Sequence, residues 1–396
     1  MIVGVPVESH PHERRVSLVP AAVPTLAKVG LEVLVERGAG KNAGFPDAAY
    51  EEQGARLAQD RIQLFSSADV LLQVHGLGAN SEAGHADLEL LRSGQVVLGL
   101  LNPLGVPDAA RALAGRGVTA FALELLPRIS RAQSMDALTS MATVAGYKAV
   151  LLAAASLQKM CPMMMTAAGT ITPARFFVVG AGVAGLQAIA TSRRLGAVVH
   201  SYDVRPAVKE QVQSLGAKFL ELKLETDGTE ASGGYAQAMG DEFYRRQREM
   251  MGQVVAESDV VITTAAIPGR KSPVLITAEM VQRMRPGSVI LDLAAEGGGN
   301  CELTRPGETV EADGVTILGP LNLASTVPYH ASQMYARNLT AFLQNLVKDG
   351  ALRLNLEDPI LRDTLLTHQG QVVHPQVREL LGLPASVPTT EQRSSS

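Results

Sequence analysis

The stretch from Phe176 to Asp203 sets the tightest limit on what this chain can become. It reads Phe-Phe-Val-Val-Gly-Ala-Gly-Val-Ala-Gly-Leu-Gln-Ala-Ile-Ala, runs on through Arg-Arg-Leu-Gly-Ala-Val-Val, and ends in Tyr202-Asp203. The apolar run Phe176 to Val179 has the character of a buried parallel strand. It meets Gly180, Gly182 and Gly185 in G-x-G-x-x-G spacing, and an Ala-rich helical pattern follows. The three glycines serve different ends. Gly180 permits a tight turn, Gly182 lets the backbone approach a pyrophosphate, and Gly185 lets the helix pack on the strand. Val183 and Ala184 lie in the first turn of that helix, whose unpaired N–H groups and positive end suit phosphates. Asp203 ends the next strand, where a carboxylate accepts hydrogen bonds from an adenosine ribose and repels a 2′-phosphate, which selects NAD(H). Val204 and Arg205 follow, and Arg205 stands within reach of such a phosphate. Glycines so spaced also serve plain turns; the strand, helix, second strand and acid around them support the dinucleotide reading.

The rest of the chain repeats the alternation. Apolar runs at Ile2 to Val7, Glu32 to Val35, Val70 to Val74, Val96 to Leu101 and Val118 to Leu123 are separated by helical patterns such as Pro20 to Val29 and Asp108 to Gly115. Further runs lie at Phe219 to Leu222, Val260 to Thr264, Val289 to Leu293 and Val315 to Leu318. This is an α/β pattern, and it predicts two Rossmann-like, doubly wound parallel-sheet domains joined by long helices, with a cleft between them. The helices are Asp136 to Leu157 and Ala331 to Leu346. The expected first, outer domain comprises 1–133 and 332–383; the nucleotide domain, 134–331, is inserted in it; 384–396 is a Pro/Thr/Ser-rich disordered tail.

A net charge of −4 with no basic stripe and no Trp argues against nucleic acid as a partner. Cys161 and Cys301 form no C-x-x-C, and the histidines, His75 and His330 among them, show no metal spacing, so no metal site is expected. The N-terminus has no basic leader pattern, and the apolar stretch Ala149 to Gly169 is interrupted by Gln158, Lys159 and Pro162, so no direct membrane span is expected.

Several polar segments are candidates for chemistry. Arg14 and Arg15 either hold a substrate carboxylate or form a salt-bridged turn. Arg128-Ile129-Ser130-Arg131-Ala-Gln133-Ser134-Met-Asp136, followed by Thr139, is denser. Its Arg128, Gln133 and Asp136 are spaced to converge on an amide head group, while Ser134 or Asp136 alternatively caps the following helix. Asp292 and Glu296 flank a Gly-rich loop and either face a ligand or bond loop amides. The polar, Gly-rich stretch from Thr226, with Gly234 and the lone aromatic Tyr235, is either a lid or an ordinary insertion.

Together these segments resemble the alanine dehydrogenase/NAD(P) transhydrogenase family over nearly the whole chain to about Leu383. One carrier is Gly4-x-Pro-x-Glu8 with Glu13-Arg-Arg-Val16; the other is Val178 to Ala188. Within the family the chain is most similar to the soluble NAD(H)-binding component of proton-translocating transhydrogenase. Arg128 to Asp136 resembles that component's nicotinamide-positioning motif, with Thr139 where Ser is common. Ala231 to Ala236 resembles its mobile loop, whose tyrosine closes over nucleotide; the match places Gly234 and Tyr235 there. Ala266 stands where the family tends to have Leu lining the nucleotide pocket. Alanine dehydrogenases carry a Lys-Val-Lys segment where this chain has Gln73-Val74-His75, a histidine where Val96 to Pro103 has none, and an Asp where Glu296 stands.

The resemblance implies NADH bound in the interdomain cleft with its nicotinamide near Arg128, Gln133 and Asp136. It implies NADP(H) bound by a partner subunit, hydride transfer between them, and coupling to proton movement through membrane subunits. It further implies a homodimer on the cytoplasmic face of the inner membrane. Such a reaction needs positioning of two rings and no acid/base set. The alternatives are an alanine dehydrogenase-like amino-acid dehydrogenase and a non-catalytic NAD(H)-binding subunit.

Overall fold

The computed structural model describes residues 1–221, 241–266 and 271–384, with the backbone alone for 241–247. The expected lid with Gly234 and Tyr235, and residues 385–396 of the expected tail, lie outside the described residues. The chain divides into two compact units: Met1–Ser140 with Pro328–Ser396, and Met141–Val327.

The first unit is built on six parallel strands: β1 (Ile2–Val5), β2 (Glu32–Glu36), β3 (Arg56–Ala58), β4 (Val70–His75), β5 (Val96–Leu100) and β6 (Thr119–Ala122). Their order is β3-β2-β1-β4-β5-β6, the doubly wound arrangement, which reverses direction between β1 and β4. Leu64, Phe65, Leu71, Val97 and Leu113 are among the buried residues of one core layer. The strands read as continuous apolar runs because both faces of such a sheet are covered.

Antiparallel strands extend this parallel sheet at its edge. Leu365–His368 pairs antiparallel with β6, and Gln371–Val372 pairs antiparallel with it in turn. The turn between them has Gln369 and Gly370 at φ 47° and 77°, the paired positive φ of a two-residue hairpin whose twist matches its strands.

In the second unit, β7 (Met164–Thr166) and β8 (Gly169–Ile171) form an exposed antiparallel hairpin. The main strands are β9 (Arg175–Val179), β10 (Val198–Tyr202), β11 (Lys218–Phe219), β12 (Val260–Thr263), β13 (Val289–Asp292), β14 (Thr309–Ala312) and β15 (Val315–Leu318). Their order is β11-β10-β9-β12-β13-β15-β14. All pair in parallel except β14 with β15, whose turn again carries a left-handed pair, Asp313 and Gly314. β9 lies towards the middle of the sheet, between β10 and β12. Phe176 and Val178 join one core with Ala149, Val150 and Ile189. Phe177 and Val179 join the opposite core with Tyr202, Met251 and Val255.

Two long helices, Ala137–Ser156 and Pro328–Leu346, stand at the junctions of the units. By length and composition Ala137–Ser156 is apolar enough to cross a membrane, which the sequence reading of 149–169 does not anticipate. Its Ala149, Val150 and Ala153 are fully buried in the second unit's core.

Candidate functional site

At the end of β9 the chain turns on Gly180, whose φ is +98°. A Cβ there would lie 2.4 Å from Thr264 Oγ1, and one on Gly185 would lie 1.8 Å from the Gly180 carbonyl oxygen. Both positions therefore require glycine, the first for its left-handed backbone and the second for close packing. Gly182 differs: a Cβ on it would meet nothing within 4 Å among the described residues. It is the N-cap of the helix Val183–Arg194, with no side chain among the described residues capping the first turn and no acid in it. Helix starts normally recruit a side-chain oxygen for their free N–H groups. Here those donors stand beside the open side of Gly182, while Arg193 and Arg194 complement the negative end of the helix. Such an N-terminus suits a diphosphate. Val183 is 38% exposed. A Cβ on Gly146 would lie 2.2 Å from the Ala184 carbonyl oxygen, so Gly146 lets the long helix cross closely over this first turn. Sequence reasoning missed Gly146; the signal was a lone glycine inside an Ala-rich helix, where it is unfavourable without a packing reason.

Asp203 follows β10 and is nearly buried, as is Arg205. Its Oδ2 accepts from Ala181 N at 2.7 Å, in the glycine turn itself, and from Arg205 Nη2 at 2.9 Å. Its Oδ1 accepts from Arg205 N and Nε, both at 2.9 Å. The acid thus ties the turn to the end of β10, and a bidentate guanidinium covers it. Val204 is half-buried beside them.

Beyond β12, Asn300 brackets Ala265: its Oδ1 accepts from Ala265 N at 2.9 Å and its Nδ2 donates to Ala265 O at 2.8 Å. That fixes the backbone next to exposed Ala266. Asp292 is fully buried and accepts from Asn300 N, Cys301 N, Ala294 N and the hydroxyls of Thr263 and Thr304. Glu296 accepts from Asn322 N at 2.7 Å. Both carboxylates therefore hold loop amides.

The Arg128–Thr139 segment lies in the first unit. Arg128, Ile129, Ser130, Arg131 and Gln133 are exposed. Ser130–Met135 is a 3-10 turn, fastened from below: Asn338 Nδ2 donates to Ser134 O at 2.9 Å. Arg131 pairs with Asp358, which also accepts from Asn345. The Arg131 guanidinium holds Asp358 below the ordinary carboxylate range although burial opposes it. Asp136 accepts from Thr139 N at 2.8 Å and from its hydroxyl at 2.6 Å, which caps the long helix. Arg131, Asp136 and Thr139 thus have structural partners that shape the segment.

In the first unit's opening motif, Glu13 and Arg15 are buried. Glu13 and Arg15 form a fork at 2.8 and 2.6 Å, both out of solvent, so the salt-bridged alternative describes Arg15. His75 Nε2 lies 3.4 Å from Arg15 Nη2, and burial with that cation lowers its pKa to about 3. Glu8 reaches across the β1/β4 switch point and accepts from Val74 N and His75 N at 2.6 and 3.1 Å. Burial raises its pKa to about 8, against those two bonds. The crevice that is open at Gly182 in the second unit is filled by a side chain here. Sequence reasoning named Glu8 only within a motif; its role depends on β4, which is remote in sequence.

The model of the alanine dehydrogenase/PNT C-terminal domain matches residues 149–375, and that of the N-terminal domain matches 4–145. The chain is 48% identical over 378 residues to an NAD(P) transhydrogenase subunit alpha protein of Rhodospirillum rubrum, covering 95% of this chain and 98% of that one. Alanine dehydrogenase of Bacillus subtilis is more distant, at 30% identity over 96% of this chain and 95% of its own. Among solved structures, a transhydrogenase from Sinorhizobium meliloti superposes with a TM-score of 0.84 at 47% identity, covering 94% of this chain and 100% of that one. An L-alanine dehydrogenase gives 0.80 at 27%, covering 96% and 99%. With both domain models matched, and the transhydrogenase alpha subunits nearer than the dehydrogenases, the chain belongs to the alanine dehydrogenase/PNT family, on its transhydrogenase side.

Proposed function

We propose that this chain holds NAD(H) and exchanges hydride between it and NADP(H) bound on a partner subunit, in an assembly whose membrane subunits move protons. The observation that carries the reading is the uncapped start of the helix Val183–Arg194 beside the open side of Gly182. Its support is the likeness to proteins named transhydrogenase subunit alpha. When bound, the nucleotide supplies a hydride from C4 of its nicotinamide. The chain's own residues bind and orient. The N–H groups at Val183, Ala184 and Gly185 hold the pyrophosphate, and Asp203, Val204 and Arg205 hold the adenosine ribose. Arg128, Gln133 and Asp136 orient the nicotinamide, with Ile129, Ser130, Arg131 and Thr139 shaping their segment. Ala266 lines the nucleotide pocket, and Gly234 and Tyr235, outside the described residues, complete the nucleotide-binding set.

Hydride transfer between two such rings moves no proton at the reacting carbons, so positioning and exclusion of water are the chain's whole contribution. The buried Glu13–Arg15 fork takes no part. The working form is a homodimer on the cytoplasmic face of a membrane, attached through its partners.

The test is titration of the purified chain with NADH and NADPH, followed by mixing with an NADP(H)-binding partner domain. NADH binding and partner-dependent formation of NADPH are expected. Oxidation of alanine by the chain alone would overturn the reading, and NADH binding without transfer would reduce it to a carrier.

A further inference from the structure

The selection of NAD(H) over NADP(H) rests, in the simplest case, on a bare carboxylate at the end of β10 repelling a 2′-phosphate. Asp203 is not bare. A carboxylate offers about four acceptor positions, and all four contacts are made inside the protein. Ala181 N and Arg205 Nη2 reach Oδ2; Arg205 N and Nε reach Oδ1. The paired bonds at 2.9 Å are the fork that guanidinium and carboxylate form when both are held in plane. Both side chains are nearly out of solvent, so the pairing cancels the charge with little help from water.

Two consequences follow. A ribose hydroxyl gains an Asp203 oxygen only by displacing an N–H that already occupies it. A 2′-phosphate brought to the same place meets an ion pair with no net charge, one of whose members is a phosphate-binding group. We propose that Arg205 is a specificity-determining residue, whose pairing with Asp203 weakens the rejection of the 2′-phosphate and sets the NADH/NADPH discrimination of the site. The inference rests on the dinucleotide reading of the Gly180–Gly185 turn.

The experiment measures dissociation constants of the full chain for NADH and NADPH by reduced-nicotinamide fluorescence, for wild type, Arg205→Gln and Arg205→Lys. Gln keeps hydrogen-bond donors and removes the charge; Lys keeps the charge and removes the fork. Arg205→Gln is expected to widen the NADPH/NADH ratio on the order of tenfold, the ratio being read after correction for any change in NADH affinity itself. Arg205→Lys is expected to stay within about threefold of wild type. An unchanged ratio in Arg205→Gln, or equal widening in Arg205→Lys, would overturn the proposal. Wild type gives an independent readout that needs no variant. With the Asp203 charge cancelled, its ratio should vary less than about twofold between about 50 and 500 mM salt. A ratio that collapses with salt would show a bare charge doing the rejecting and would overturn it too. Wild type that binds neither nucleotide would overturn the functional reading itself, a result distinct from lost discrimination.

Discussion

Gly180, Gly182 and Gly185 stand in one short motif and fail differently when changed. Gly185→Ala puts a methyl 1.8 Å from the Gly180 carbonyl oxygen, so the helix must move off the strand. A lowered melting temperature with lost NADH binding is expected, from overpacking of about 1–3 kcal/mol. Gly182→Ala places its methyl in open space. It should fold with wild-type stability and bind NADH at least about tenfold more weakly, because the methyl occupies ground a phosphate needs. Equal loss of stability in both would contradict these separate roles. The tight turn at Gly180 and the close packing at Gly185 were legible in the spacing alone, since the turn is local. The partners of Asp203 were not: its contact with Ala181 depends on how β9 and β10 align.

Half-buried Glu124 supplies a pH test. Its Oε1 accepts from Leu101 N and Asn102 N at 2.7 and 2.6 Å, while Oε2 is buried without a hydrogen bond among the described residues. Burial raises its pKa from 4.5 to about 7 against those bonds. A raised carboxyl binds its proton more tightly in the folded state, so its contribution is complete below pH 4.5 and is lost as pH rises through about 7. Stability from this group should fall by up to about 1.4 kcal/mol per pH unit within that window. Glu124→Gln keeps an oxygen for both amides, and urea midpoints measured across the window should lose that slope. A slope the same in both proteins would contradict the assignment.

At the scale of elements, Asp136 fixes where the long helix begins. Asp136→Ala removes both bonds to Thr139 and should cost about 1 kcal/mol of stability, read as a lower urea midpoint. Asn at 136 keeps an acceptor and should restore most of it. The capping role was one of two sequence-level alternatives, and the structure shows the cap. The main strands were legible because each is an apolar run bounded by turns. The antiparallel edges were not read, although Asp313-Gly314 and Gln369-Gly370 carry the hairpin turn chemistry. The strands Thr309–Ala312, Leu365–His368 and Gln371–Val372 are short and only partly apolar, so periodicity alone gave no signal. β3 was missed for the same reason, as a three-residue edge strand with one exposed and one half-buried residue.

At the scale of the whole molecule, both units carry the same order of parallel strands, and their switch points are filled differently. In the first, Glu8 bonds across to β4; in the second, glycine leaves the helix start open. Under the proposed function, nucleotide therefore binds to the second unit. The comparison of switch points was beyond the sequence, because the Glu8 contact spans residues 66 and 67 positions apart. Central to the proposed function is direct hydride exchange with a nucleotide on another subunit. The most direct measurement follows deuterium from C4-deuterated NADH after the chain is mixed with an NADP⁺-loaded partner domain. NADPH that retains the deuterium at C4, formed only when both proteins are present, is the predicted result. Solvent hydrogen at that carbon, or NADH consumed by the chain alone with pyruvate and ammonia, would contradict it.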